Sequence, residues 1–282
     1  MSPRRLPRRK RFAGLSFNRM LPNLMTLLGL CIGLSSIRLA MDGKFGSAVI
    51  AIAVSAVIDG LDGRLARLLK ATSRFGAEFD SLSDFLCFGV APGLIIYSWS
   101  LQAWGAMGFL PPLMYTSAMA LRLARFNAAL DSAPKAAFAY NFFTGVPAPA
   151  GAGLALFPLF LGLEADKLHM DWLHAAVAYP LFTGAVLLTV AILCVSTLPV
   201  WSFKNFKIPT ENVLPLLLGV VVFAAILFAD PYAAGALLGL AYIVMLPFSL
   251  RSYRSLAAQA EARRAEAEAA AHSANSAGTP AA

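Results

Sequence analysis

Residues 57–93 read VIDGLDGRLARLLKATSRFGAEFDSLSDFLCFGVAPG. Apolar runs flank this stretch on both sides. Yet Asp59, Asp62, Glu78, Asp80 and Asp84 all fall inside it, in a chain with only 15 Asp and Glu. An ionised Asp in an apolar layer costs roughly 2.5–3.5 kcal/mol on insertion scales. Carboxylates gathered at one site also repel each other. These acids therefore need cations, either metal ions or basic side chains.

Composition sets the solvent. Of 282 residues, 59% are hydrophobic and 13% charged, against about 25% charged in average soluble domains. Mean hydropathy is +0.68. These values exclude collagen, intrinsic disorder and a small disulfide scaffold, and imply a polytopic helical membrane protein. Cys31, Cys87 and Cys194 all lie in apolar stretches. They give neither a disulfide framework nor a metal-ligand spacing, and read as small hydrophobes in helices.

A spanning helix needs about 20 mostly apolar residues. Eight segments qualify or nearly do: 21–40, 46–69, 78–100, 105–126, 146–163, 175–199, 213–229 and 232–249. The fifth and seventh are short, so six to eight spans are compatible with the pattern. The expectation is an all-α integral membrane bundle of about eight transmembrane helices. If the N-terminus is cytoplasmic, only Arg38, Lys44 and Lys167 of the 23 Lys and Arg fall outside the cytoplasmic segments. That asymmetry places both termini in the cytoplasm. The net charge of +8 is then mainly a topology signal. The Arg-rich start suits anionic lipid headgroups better than nucleic acid. The organisation expected is a basic juxtamembrane segment at 1–20, a transmembrane catalytic domain at 21–250, and a cytoplasmic tail at 251–282. That tail should be helical to about 271 and disordered beyond.

The acid-rich stretch joins the second and third spans at the cytoplasmic side. Asp59, Asp62, Gly63, Ala66 and Arg67 fall on one face of a helix. Gly76, Asp80 and Asp84 step by four and line one face of the next, with residues 70–74 as the turn. If the faces meet, four carboxylates converge beside small residues and an arginine. All-oxygen ligands favour Mg²⁺ or Mn²⁺. Two such ions roughly 4 Å apart would suit phosphoryl or phosphatidyl transfer, with one carboxylate available as general base. A cation-coupled transporter is the rival that residue chemistry alone leaves open, although transporter sites lie near the bilayer midplane.

The pattern Asp59-x2-Asp62-Gly63-x2-Ala66-Arg67-x8-Gly76-x3-Asp80-x3-Asp84 resembles the signature of the CDP-alcohol phosphatidyltransferases at every fixed position. Further segments resemble the branch whose acceptor is serine. They are Leu21-Pro22-Asn23-Leu24-Met25-Thr26-Leu27-Leu28-Gly29, Ser81-Leu82-Ser83-Asp84-Phe85 running into Phe88-Gly89-Val90-Ala91-Pro92-Gly93, Arg122-Leu123-Ala124-Arg125-Phe126-Asn127 and Phe143-Thr144-Gly145-Val146-Pro147-Ala148-Pro149-Ala150, with Ser202-Phe203-Lys204 a weaker echo. The resemblance implies transfer of a phosphatidyl group from CDP-diacylglycerol to L-serine with release of CMP. It implies two divalent cations, Mg²⁺ or Mn²⁺, held by Asp59, Asp62, Asp80 and Asp84, with Asp84 also the general base. It assigns the CDP moiety to Gly63, Ala66, Arg67 and Gly76. It further implies a homodimer in the bacterial inner membrane, with the active site facing the cytoplasm. Another acceptor (glycerol 3-phosphate, an inositol compound or choline) is the alternative within the family.

Arg122 and Arg125 share a helix face near a cytoplasmic end. They read either as positive-inside anchors or as contacts for a substrate phosphate or the serine carboxylate. Asn127 reads as a cap or a substrate contact, and Lys135 as a cytoplasmic loop residue or an anion contact. His169 and His174 lie in an external loop and read as loop residues. Trp99, Trp104, Trp172 and Trp201 fall near span ends, where an aromatic belt is expected. No base-and-orienter arrangement surrounds Ser81 or Ser83, so no serine nucleophile is expected.

Overall fold

The computed structural model describes residues 17–129, 142–201 and 213–277. Residues 1–16, Lys135, the Ser202-Phe203-Lys204 segment and residues 278–282 lie outside the described residues. Helix α1 (Phe17–Met41) and α2 (Phe45–Leu68) are joined by a tight turn in which Gly43 has φ +74°. So short a connection makes the helices antiparallel neighbours. Small residues let them close up: Gly29 lies against Ile58, and Gly33 against Ser55 and Cys87. Close approach at glycine is how apolar helices associate without a hydrophobic driving force.

Lys70 adopts the left-handed conformation (φ +50°) just past the end of α2. The Ala71 N–H donates to Ala66 O at 2.9 Å, and the Lys70 N–H to Arg67 O at 3.2 Å. These bonds satisfy carbonyls that a helix end otherwise orphans. Ser73 then caps α3 (Arg74–Asp84), accepting the Gly76 N–H at 3.0 Å. A six-residue π turn (Phe85–Val90) connects α3 to α4 (Ala91–Trp99). Together they form one span, Arg74–Trp99.

After α5 (Gly105–Gly108), α6 (Leu110–Ala129) opens with Pro111 and Pro112 in its first turn, where missing N–H groups are harmless. Two expected spans are broken in the structure. Segment 146–163 divides into α7 (Ala148–Ala155) and α8 (Phe157–Lys167), bent by 42°. Segment 175–199 divides into α9 (Asp171–Val177) and α10 (Pro180–Val195), bent by 52°. Pro158 lies in the first turn of α8 and Pro180 opens α10, positions at which a missing N–H is harmless. His174 sits on α9 rather than in a loop, its ring 3.5 Å from Asp166.

Helix α10 also stops four residues before the expected 199. Residues β1 (Phe142–Thr144) and β2 (Pro199–Trp201) pair antiparallel, with Phe143 opposite Val200. Pro199 cannot continue a helix, and it biases Leu198 toward extended backbone. This ribbon is the one departure from an all-α chain among the described residues. Helix α11 (Val213–Ala229) precedes α12 (Pro231–Ala277), which runs 47 residues without a break. It passes six residues beyond the point at which composition predicts loss of structure.

The core lies where α4, α6, α7 and α10 meet the π turn. Phe88, Ile95, Ile96, Tyr115, Met119 and Leu187 are among its largest members, each at most 1% exposed. Among the described residues, four helices are long and apolar enough to cross a bilayer, or six if each bent pair counts as one span. The remaining segments of the expected eight are α6, which carries Arg122 and Arg125, and α11, with 17 residues.

Candidate active site

The last turns of α2 and the whole of α3 bring the acids together. Carboxylate oxygens of Asp59, Asp62 and Asp80 all lie within 4.8 Å of one another. Asp62 is only 3% exposed. It accepts a hydrogen bond from Thr26 Oγ1 of α1 at 2.6 Å. Asp84 neighbours Asp59, the two carboxyl groups within hydrogen-bonding reach. Its Oδ1 is buried without a partner. A void of about 10 Å³, the size of one water or ion, lies between Asp59, Asp62, Asp84, Thr26 and Ser55. Asp59 and Asp62 thus belong to two overlapping groupings, one with Asp80 and one with Asp84.

Basic side chains do not neutralise this charge. Among the described residues, no Lys or Arg nitrogen comes within 4.0 Å of any of the four carboxylates. Crowded anions, oxygen-only donors and an orphaned buried oxygen fit hard divalent cations.

Beside the acids opens a cleft of about 490 Å³, within the range of small-molecule sites. Asp62 and Asp80 border it, and so do Gly63, Ala66, Arg67 and Gly76. The two glycines are small for different reasons. A Cβ on Gly63 would meet nothing within 4 Å, so its absence leaves space to the cleft. A Cβ on Gly76 would lie 3.0 Å from Asn23 Oδ1 and 3.1 Å from Ser73 Oγ, so a side chain there would crowd both. Arg67 lies along its own helix, its Nε donating to Gly63 O at 3.1 Å.

Sequence reasoning missed the contribution of α1. Asn23 and Thr26 border the cleft, and Thr26 also borders the void. Their spacing of three within α1, at the Leu21-Pro22-Asn23 start of the first apolar run, was the available signal.

The arginines of α6 are held by main chain. Arg122 Nε donates to Val146 O at 2.5 Å, and the half-buried side chain is close enough to Asp84 to feel its charge. Arg125 Nη1 donates to Val195 O at 2.6 Å, and Nη2 to Ser196 O at 3.1 Å and Thr144 O at 3.4 Å. Arg125 therefore clamps the end of α10 to β1. Gly145, with φ +77°, passes between them, where a Cβ would strike Cys194 O and Ser196 O. Asn127 Nδ2 donates to Ser81 Oγ at 3.1 Å, tying the end of α6 to α3 between Asp80 and Asp84.

Comparison with known proteins defines the class. The CDP-alcohol phosphatidyltransferase family matches residues 19–247, and the chain belongs to that family. It is 37% identical over 259 residues to the CDP-diacylglycerol–serine O-phosphatidyltransferase of Mycobacterium leprae, covering 91% of this chain and 82% of that protein. It is 35% identical over 215 residues to the Helicobacter pylori J99 protein of the same name, covering 76% and 84%. An archaetidylserine synthase of Methanothermobacter thermautotrophicus is 36% identical over 137 residues, or 47% of this chain and 54% of that protein.

Proposed function

We propose that this chain transfers the phosphatidyl group of CDP-diacylglycerol to the hydroxyl of L-serine, giving phosphatidylserine and CMP. One observation carries the reading: the carboxylates of Asp59, Asp62 and Asp80 lie within 4.8 Å of one another, and Asp62 and Asp80 border a 490 Å³ cleft that also holds Gly63, Ala66, Arg67 and Gly76. The names of the mycobacterial and Helicobacter relatives support the acceptor.

Asp59, Asp62, Asp80 and Asp84 would hold two Mg²⁺ or Mn²⁺ ions, Asp59 and Asp62 contributing to both groupings. Bound there, the ions would neutralise the diphosphate and the charge that develops on the transferring phosphorus. The protein's own groups do the rest. Asp84 accepts the proton of the serine hydroxyl as its oxygen bonds to phosphorus and the bond to CMP breaks. The cleft lets the nucleotide approach the backbone at Gly63 and Ala66. Arg67 offers a forked donor to a diphosphate oxygen, and Gly76 keeps α3 close to Asn23. Arg122 is the better placed of the two α6 arginines for a substrate phosphate or the serine carboxylate, since Arg125 already holds three carbonyls. Direct attack by the acceptor requires no covalent enzyme intermediate.

The setting follows from charge and family. The eight helical segments act as eight spans, with 1–20 and 251–282 flanking a catalytic domain at 21–250. The Lys and Arg asymmetry supports cytoplasmic termini and a site facing the cytoplasm of a bacterial inner membrane. The family resemblance supports a homodimer.

The test is CMP release from CDP-diacylglycerol by purified protein in detergent. L-serine, glycerol 3-phosphate, inositol, inositol phosphate and choline are supplied separately, each with Mg²⁺, Mn²⁺ or EDTA. Release with serine alone, abolished by EDTA, is expected. Release with a different acceptor would overturn the serine assignment. Release undiminished by EDTA would overturn the metal assignment.

A further inference from the structure

The π turn that follows Asp84 has a cause in sequence. In a regular helix the Phe88 carbonyl would accept from the N–H four residues on, which is Pro92 and has none. A proline ring also clashes with the carbonyl at that position. The helix responds by widening: over Phe85–Val90 it is π-helical, and the Ala91 N–H reaches back five residues to Leu86 O. The Phe88 carbonyl is taken by another helix. Tyr115 of α6, fully buried, donates its hydroxyl to Phe88 O at 2.6 Å. Its neighbour Thr116 Oγ1 donates to Gly89 O at 3.3 Å.

The position of this turn matters because it separates a fixed half from a reacting half. After it, Ile95 and Ile96 are wholly buried and set the rotation of α4. Before it stand Asp80 and Asp84. Short π insertions are common at functional sites. Each adds one residue to a turn, so returning it to α geometry would rotate α3 by roughly 100° against α4. That rotation would swing Asp80 and Asp84 away from Asp59 and Asp62.

We infer that Pro92, the Phe88 carbonyl and the Tyr115 hydroxyl form a lock that holds Asp80 and Asp84 in phase with the acids of α2. Tyr115 is thereby a positioning residue for the acid site, acting through Phe88, about one helix turn beyond Asp84. The inference rests on the proposed metal-binding role of the four aspartates.

The test is Mn²⁺ affinity of the full-length protein in detergent, read from the electron paramagnetic resonance of free Mn²⁺ with no substrate present. Supporting groups of this kind typically change metal affinity by about 10- to 100-fold. Tyr115→Phe should weaken Mn²⁺ binding at least about tenfold and lower kcat more than it raises KM for CDP-diacylglycerol. Pro92→Ala restores an N–H that can claim Phe88 O, and should also weaken binding. Ser249→Ala is the control. It removes a buried hydroxyl bonded to Pro199 O at 2.8 Å and should leave Mn²⁺ affinity unchanged. Wild-type affinity in folded Tyr115→Phe would overturn the lock. If Tyr115→Phe does not fold, Pro92→Ala decides, and failure of both to fold would overturn it too, since the bond would then serve the fold rather than the site. Absence of Mn²⁺ binding by wild type would instead bring down the metal reading, and this inference with it.

Discussion

A single carboxylate, Asp230, and the cluster of four meet opposite fates in this molecule. Between α8 and α12, Asp230 pairs with Lys167, and its second oxygen caps α12 by accepting the Tyr232 and Ala233 N–H groups at 3.2 Å each. That carboxylate is provided for by its own chain, and its work is structural. Between α2 and α3, four carboxylates crowd together with no basic partner within 4.0 Å among the described residues. Thr26 serves one oxygen of Asp62, while Asp84 Oδ1 has no partner. The chain has cations to offer nearby, Arg67 and Arg122, yet directs both toward main-chain carbonyls. The difference teaches that an acid cluster left unpaired at the edge of a cleft offers a cation from outside a set of oxygen ligands that the paired acid does not.

Asp84→Asn attacks the contrast most directly. It should lower CMP release by about 10²- to 10⁴-fold, the usual worth of a positioned general base, while the circular dichroism spectrum stays that of wild type. Activity near wild type would remove Asp84 from the reaction. Arg67→Ala comes next. Losing a charge-assisted bond of roughly 1.5–3 kcal/mol should reduce kcat/KM for CDP-diacylglycerol about 10- to 100-fold, mostly through KM.

Gly63→Ala separates room for substrate from room for packing. The new methyl meets no neighbour, and alanine is favoured over glycine in a helix by about 1 kcal/mol. Thermal stability should therefore hold or rise while KM for CDP-diacylglycerol increases severalfold. An unchanged KM would show that the cleft wall at Gly63 does not meet the nucleotide.

The smallest effect belongs to the paired acid. The Lys167 side chain beside Asp230 holds that carboxyl below the usual carboxylate range. A lowered folded value means that ionisation favours the folded state. The contribution is complete above the unfolded value of about 3.9 and fades as pH falls through the folded value. Asp230→Asn should lower Tm slightly at neutral pH and flatten the acid limb of the stability profile, with CMP release unchanged. Equal loss of activity would show that the two acid groups are coupled.

Much of this was legible in sequence, because it rests on period and composition. Helical spacing placed Asp59 and Asp62 on one face and Asp80 and Asp84 on another, and the faces do meet. What escaped depends on partners distant in the chain. Thr26 reaches Asp62 across 36 residues, and nothing local marks a threonine in an apolar helix as a second support for an acid. Arg125 looked like a membrane anchor or a substrate contact. Its clamp on Thr144, Val195 and Ser196 exists only once β1 and β2 pair, 57 residues apart. The breaks at Pro158 and Pro180 were written in the sequence, but the apolar runs on either side hid them.

The central claim is that the four carboxylates hold cations rather than basic side chains. Equilibrium dialysis of the purified protein against Mn²⁺, without substrate, measures it directly. The account predicts two ions per chain for wild type and their loss in Asp59→Asn, because Asp59 belongs to both groupings. No bound Mn²⁺ in wild type, or the same stoichiometry and affinity in Asp59→Asn, would contradict it.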